Sequence, residues 1–219
     1  MAVAPVNKFL TVAVPVAPGE QKVYEVPTGT SAILLYAQVS NVGVGTYPTT
    51  TLIHRRESRS TGNLRDIRVI KDIEIPPNDA AILIDGRLVL EKTATTLDRL
   101  FITGTQTGIV TITDVTYDEP SGISTITTQS LHNFNVGDEI TMSGIEMSCP
   151  GGSGITTTIF PSPQRSYTVA SIVDTVGTSK TFTTNVGSAA GIGHSYVSGG
   201  QVGPLQMEFL ASILENTTA

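Results

Sequence analysis

The side chains able to act as nucleophiles or metal ligands are few in this 219-residue chain: one cysteine, Cys149, and three histidines, His54, His132 and His194. No histidine lies within four residues of another or of Cys149, so no metal-ligand spacing of the helix or hairpin kind exists. Cys149 sits in Ser148-Cys149-Pro150-Gly151-Gly152, with no base beside it and no helix start to lower its pKa. It reads as a free thiol in a packed loop, and a Cys–His nucleophile would have to be assembled from distant parts of the chain. There is no Gly-x-Ser-x-Gly elbow. Gly151-Gly152-Ser153-Gly154 runs into Ile155-Thr156-Thr157-Thr158 without a phosphate-binding lysine, which makes it a loop rather than an anion cradle. The acidic stretches Asp114 to Glu119 and Asp138-Glu139 match no calcium loop and read as solvated turns. His132, in His132-Asn133-Phe134-Asn135-Val136-Gly137-Asp138, reads as a hydrogen-bonder that stabilises a turn. The expectation is a non-enzymatic chain with no catalytic residue, no cofactor and no metal.

Charge is densest in His54-Arg55-Arg56-Glu57-Ser58-Arg59-Ser60 and continues through Arg65 and Arg68, with Gly62-Asn63 at the turn. This predicts an exposed hairpin arm between Thr49 to His54 and Leu64 to Ile75. Arg55, Arg56, Arg59, Arg65 and Arg68 are candidate subunit contacts, because a guanidinium fork pairs with a carboxylate in a bidentate way. A solvated face that keeps an edge strand from aggregating explains the same residues. Nucleic acid is not expected: the net charge is −6 and no aromatic platform interleaves the arginines. A sugar-binding surface is weakened by the absence of Trp, although Tyr47, Tyr117 and Tyr196 could serve one.

The elements that must carry these residues are strands. Short alternating apolar stretches between turn residues recur, helical periodicity is nearly absent, and charged residues make up 15% of the chain. Ile67, Val69, Ile73 and Ile75 alternate with Arg68, Asp72 and Glu74. Ser31 to Ser40 is apolar on both faces and predicts a central strand. Asp85-Gly86 between Ala81 to Ile84 and Leu88 to Leu90 predicts a tight hairpin, and Pro76-Pro77-Asn78-Asp79 a turn. After Thr103 the composition changes. Residues 106–205 hold two basic and seven acidic residues, against 11 and 12 in the rest, and are rich in Thr, Ser and Gly. Strands are expected there at Ile109 to Tyr117, Ile123 to Thr128, Glu139 to Ser143, Ser166 to Val173 and Lys180 to Val186. Gly104 to Gly108 and Gly199 to Pro204 read as linkers.

The fold expected is all-β: a β-sandwich or barrel-like base domain, residues 21–105 plus 206–219, with a small β-domain, 106–205, inserted into a hairpin loop. Gln206 to Glu215 would complete the base sheet beside Leu97 to Thr103. Residues 1–20, with prolines at 5, 15 and 18 and a single lysine, read as an extended arm rather than a signal peptide. No apolar run approaches the ~20 residues of a membrane-spanning helix, so no membrane is expected.

Four segments carry a resemblance. Val26 to Leu35, Ile75 to Ala80, Leu83 to Leu90 and Glu208 to Glu215, in that order and spacing, resemble small β-sandwich virion proteins of tailed bacteriophages. Asn133 to Ile140, Met142-Ser143-Gly144-Ile145 and Cys149 with its Gly-rich loop resemble a module of structural proteins in contractile-tailed marine cyanophages. The resemblance brings no catalytic residues. It implies a virion location, as a neck, tail or capsid accessory subunit in many symmetric copies, with other copies and neighbouring virion proteins as partners. The rival is a receptor-binding or host-surface adhesion module in which loops 144–165 and 187–200 of the insertion touch the host.

Overall fold

The computed structural model describes residues 6–149, 155–157, 160–174, 178–188 and 193–217. The chain forms two compact units. One holds the chain up to Val16, Glu20–Thr105 and the segment from Gln206 on; the other holds Ala17–Gly19 and Gln106–Leu205. All regular structure among the described residues is β, and no helix long and apolar enough to cross a membrane is present among them.

The first unit is a sandwich of two four-stranded antiparallel sheets. One contains β1 (Val6–Pro15), β3 (Thr30–Asn41), β6 (Ala80–Glu91) and β17 (Met207–Thr217), in the order β1-β17-β3-β6. The other contains β2 (Gly19–Glu25), β4 (Thr49–Ser58), β5 (Leu64–Glu74) and β7 (Thr96–Thr105), in the order β2-β7-β4-β5. Alternate residues face inward, so Leu34, Leu52, Leu90, Leu100, Ile102 and Phe209 meet in one buried core. Each such side chain is stabilised by about 1.5–3 kcal/mol relative to exposure.

Several expectations about this unit are corrected. The C-terminal strand β17 lies between β1 and β3, not beside β7. β7 already has β2 and β4 as neighbours and no vacant edge, so the insertion joins strands of opposite sheets instead of closing a hairpin. Asp85-Gly86 makes no hairpin either. β6 runs through it as one strand with register shifts against β3, because Leu83 and Leu90 on either side must both reach the same core. In β5 the alternation also breaks at register shifts against β4: Asp72 adopts a φ of 48° and its carboxylate accepts from Thr51 Oγ1 at 3.0 Å. Val69, Ile70 and Ile73 then pack on the core while Ile67 is exposed. Within the segment read as an arm, Val6–Pro15 is extended but is an edge strand, where proline does no harm to a ladder.

The second unit contains a closed six-stranded barrel, β10-β13-β14-β9-β8-β16. Its strands are β8 (Val110–Asp118), β9 (Ile123–Thr128), β10 (Glu139–Ser143), β13 (Ser166–Ile172), β14 (Thr181–Asn185) and β16 (Gln201–Pro204). Phe182, Ile126, Ile140 and Met142 fill its interior. A three-stranded sheet, β12-β11-β15, is formed by β11 (Glu146–Cys149), β12 (Ile155–Thr157) and β15 (Ser195–Ser198).

The glycines at 199–203 are not linker residues. They turn the chain into β16, which closes the barrel between β8 and β10. Gly199 and Gly200 have φ of 72° and 109°, and a Cβ on Gly200 would lie 2.8 Å from Ile145 Cγ1. Glycine is required there by close approach as well as by conformation.

Gly104 at the end of β7 lies against Met207 at the start of β17: a Cβ on it would come 2.3 Å from Met207 Cε. The two ends of the first unit that flank the insertion are therefore adjacent, the condition under which an inserted segment is tolerated. Excising 106–205 and joining Thr105 to Gln206 through a short Gly/Ser linker is expected to leave a folded β-protein. Far-UV circular dichroism and a cooperative thermal transition check this; a non-cooperative product would contradict it.

Candidate functional site

The arginine-rich segment becomes the hairpin β4–β5, whose strands pair through Arg55↔Asp66 and Arg56↔Arg65. At its tip Gly62, at a φ of 70°, donates its N–H to Ser58 O at 2.7 Å, and Ser58 N donates to Asn63 O at 2.9 Å. Strand alternation then divides the arginines. Arg55 projects from the outer face of the β2-β7-β4-β5 sheet, while Arg56 projects from the inner face.

On the outer face, Arg55 donates to both oxygens of Asp66 on β5 at 2.6 and 2.7 Å. It also donates to both oxygens of Glu20 on β2 at 2.8 and 3.0 Å. To span these strands its guanidinium lies over the Phe101 ring of β7, 4.3 Å from the centroid, a cation–π contact. Arg99 stands directly opposite Arg55 in the ladder, and the like charges are separated because Arg99 turns to Glu57 at 2.6 Å and Glu25 at 2.9 Å. Asp66, then Glu20, raise the pKa of Arg55, and Arg55 holds the Asp66 carboxyl below its ordinary value. Lys22 does the same for Glu25 against the opposing effect of burial, with help from Arg99. The result is an ionic lattice across all four strands, lining a shallow groove of about 500 Å³ together with Leu64 and Gly62.

On the inner face, Arg56 Nε and Nη2 fork onto the Asp98 carboxylate at 2.7 Å each, with Glu91 3.2 Å away. Asp98 is fully buried; it also accepts from Glu91 N at 3.0 Å and lies 3.1 Å from His54 Nε2. Burial opposes its ionisation, but Arg56, the Glu91 amide and His54 outweigh that and hold the carboxyl below its ordinary value. Arg59 donates to Thr93 O at 2.9 Å.

Of the five candidate contact arginines, Arg55 and Arg56 thus find carboxylates within the chain and Arg59 a backbone carbonyl. Arg65 and Arg68 sit at exposed positions of β5, with no ion-pair partner among the described residues. Sequence reading missed Glu20, Asp66, Asp98, Arg99 and Phe101. They lie up to 46 residues from Arg55, and only strand register brings them together.

In the second unit the register places Cys149 and His194 across from each other, one step beyond the Ser148↔Ser195 pair of β11 and β15. Cys149 Sγ contacts His194 Nδ1. The long-range pair that sequence spacing gave no reason to expect is therefore formed. His194 stacks on Phe160, with centroids 4.0 Å apart, and meets the edge of Tyr117. Burial raises the pKa of the thiol and lowers that of the imidazole, so the surroundings favour the neutral pair over a thiolate–imidazolium. This arrangement packs a thiol against a ring in surroundings that oppose charge on either group.

His132 does what its turn implied. Its Nδ1 accepts from Phe134 N at 3.0 Å while the ring stacks on Phe134. Among the described residues no three His, Cys, Asp or Glu side chains gather as a metal site. Tyr117 and Tyr196 spend their hydroxyls on Gly187 O and Gly199 O, at 3.0 and 2.9 Å, whereas Tyr47 is 61% exposed. Parts of the loops considered for host contact, 150–154, 158–159 and 189–192, lie outside the described residues.

No family model matches the chain, and no curated protein matches it. Among solved structures it is similar to a chain of the IBDV viral particle at 6% identity and a TM-score of 0.32, with 100% of this chain set against 40% of that one. It is similar to the infectious bursal disease virus Gx strain at 8% identity and a TM-score of 0.31, covering 97% and 42%. The STIV MCP aligns at 8% identity and a TM-score of 0.24, covering 99% and 97%. This chain spans about two fifths of the length of the first two. At these scores the function must be read from the chain itself.

Replacing Asp98 by Ala is expected to cost about 3 kcal/mol, because it strands Arg56 and an amide at a buried position. Removing the exposed partner Asp66 is expected to cost about 0.5 kcal/mol. Urea unfolding measures both. Since the Asp98 carboxyl is held low in the folded protein, its contribution is present above the unfolded-state pKa of ~3.9 and is lost as pH falls through the lower folded value. The gap between wild type and Asp98→Asn should therefore narrow below about pH 4. Cys149 is expected to react with iodoacetamide at neutral pH more slowly than free cysteine; a faster reaction would revive it as a nucleophile.

Proposed function

We propose that this chain is a non-enzymatic structural subunit of a virion, an accessory component of the neck, tail or capsid of a tailed bacteriophage. It assembles in symmetric copies through its base unit and carries the inserted unit as a projection. One observation carries the reading. The segments that resemble phage sandwich proteins fall on three neighbouring strands of one sheet: Val26 to Leu35 leads into β3, Ile75 to Ala80 and Leu83 to Leu90 make the turn into β6 and β6 itself, and Glu208 to Glu215 is β17. Motifs scattered over almost 200 residues thus describe one continuous piece of structure, which chance likeness of separate turns would not give.

The chemistry supports the same reading. Burial around the Cys149–His194 pair opposes charge on either group, Arg55 serves an ionic lattice on the outer face of its sheet, and Arg56 is committed to the buried Asp98. Polar groups committed to holding strands together suit a subunit whose task is rigidity under load. Arg65 and Arg68 on the exposed edge strand β5 remain the positions suited to a neighbour's carboxylates.

Labelling with an antibody raised to the chain and imaging the purified particle tests the proposal. The expected outcome is a symmetric set of labels at one level of the particle. Absence from purified virions would end it, and host-cell binding by an isolated 106–205 fragment would move the chain to the adhesin class.

A further inference from the structure

The outer face of the β1-β17-β3-β6 sheet has no covering layer within its unit, and its register builds an apolar row straight across it. Phe9 on β1 pairs with Leu214, Leu214 with Ile33, and Ile33 with Val89 on β6. These residues alternate with the core-facing Leu10, Ile213, Leu34 and Leu90, so all four side chains point outward. Phe9 is 75% exposed and Val89 58%. The next rows are Thr11, Ser212, Tyr36, Asp85, and then Ala13, Leu210, Gln38, Ile82, the last 56% exposed.

We infer that this face is covered by the same face of a second copy of the chain, stacked sheet on sheet about a two-fold axis parallel to the strands. This deepens the proposed role as a symmetric subunit and rests on it only for its biological setting. The axis folds each row onto itself, so β1 of one copy lies over β6 of the other. Large residues then meet small ones: Phe9 covers Val89, and Ile82 covers Ala13. The Ala13 position is the floor of a cleft of about 220 Å³ lined also by Pro15, Gln38 and Leu210, so each copy offers a knob and the matching hole. Charges are not opposed either. Asp85 comes over the Thr11 hydroxyl, which can donate to it, and Glu208 over Ser40, in the row Pro15, Glu208, Ser40, Ala80.

Four strands at ~4.8 Å spacing and four rows at ~6.7 Å give roughly 500 Å² per copy. That is about 1,000 Å² in total, at the threshold for a specific but weak interface. Such a contact is expected to form reversibly in solution and to become firm when other contacts of an assembly act beside it.

The test uses full-length chains carrying Cys149→Ser. One sample carries Phe9→Cys, a second Val89→Cys, and a third is their mixture, each treated with a short bis-maleimide able to bridge the ~10 Å between stacked sheets. Crosslinked dimer is expected in the mixture alone. Two Phe9 positions would lie roughly 17 Å apart, out of the reagent's reach, as would two Val89 positions. Equal crosslinking in the single-variant samples, or none in the mixture, overturns the proposal. Sedimentation adds a second readout: wild type should self-associate with rising concentration, and Ile82→Lys, at an exposed position, should abolish this with an unchanged circular dichroism spectrum. Self-association that Ile82→Lys leaves intact would also overturn it. Failure of the dimer with the chain still found in virions rejects this face alone, whereas a proven dimer absent from virions rejects the virion role alone.

Discussion

A buried carboxylate that must not be left without partners fixes one end of the sandwich. Asp98 has no contact with solvent, and its ionised form survives there because donors reach it from several directions. Arg56 donates from β4 in its own sheet, where the His54 ring also lies 3.1 Å away, and the Glu91 amide donates from the end of β6 in the other. Its backbone oxygen accepts from Val26 N, just after β2. The side chain therefore ties both sheets together at a defined separation. Tyr24 on β2 adds a second tie between the sheets, donating to Glu215 on β17 at 2.9 Å. Burial, then the Glu215 carboxylate, keep that phenol protonated. Apolar burial makes the sandwich stable, but it is tolerant of sliding; directional bonds to a buried charge are not.

Much of this was legible in the sequence, and the failures share a cause. Alternation located most strands, and the shift in charge at residue 106 marked a unit with its own core. What alternation cannot show is which strand lies beside which. β17 alternates core-facing Met207, Phe209, Ala211 and Ile213 with Glu208, Leu210, Ser212 and Leu214, which marks one buried face but not the neighbouring strands, and it is central in the sheet opposite the one its neighbour in sequence suggested. Asp85-Gly86 looks like a hairpin because local sequence reports the conformations a turn would need. Two core residues on either side, Leu83 and Leu90, override that preference and turn it into a bulge. The glycines at 199 and 200 carry the same ambiguity: missing side chains permit flexibility, but here they permit Ile145 to come close. The Cys149–His194 pair, 45 residues apart, depends entirely on the register of β11 and β15.

Register also explains how a segment crowded with arginines contributes to order. Neighbouring positions 55 and 56 face opposite sides of a strand, so the two guanidinium groups never compete. One joins the surface lattice over Phe101; the other enters the end of the core to meet Asp98. The lattice carries its partners within the chain, and outside the insertion the charges are nearly balanced, 11 basic against 12 acidic. The acidity of the whole chain then belongs to the inserted unit, with two basic and seven acidic residues.

The two outer faces of the sandwich are consequently unlike. The β2-β7-β4-β5 face is closed by its own ion pairs, each of which would have to be desolvated before another surface could dock on it, at a cost that Coulomb attraction does not repay by default. The β1-β17-β3-β6 face presents Phe9, Val89 and Ile82 to water, and the row through Phe9 and Val89 is wholly apolar, with the charges of Asp85 and Glu208 in other rows. Association is favoured where removing water is favourable, so the arginine arm need not be the principal means of assembly even though it is the most conspicuous feature of the sequence. Its exposed members, Arg65 and Arg68, lie on an edge strand, where charge discourages unwanted strand pairing; in the assembly proposed above they would select a charged neighbour at the rim while the apolar sheet supplied the contact.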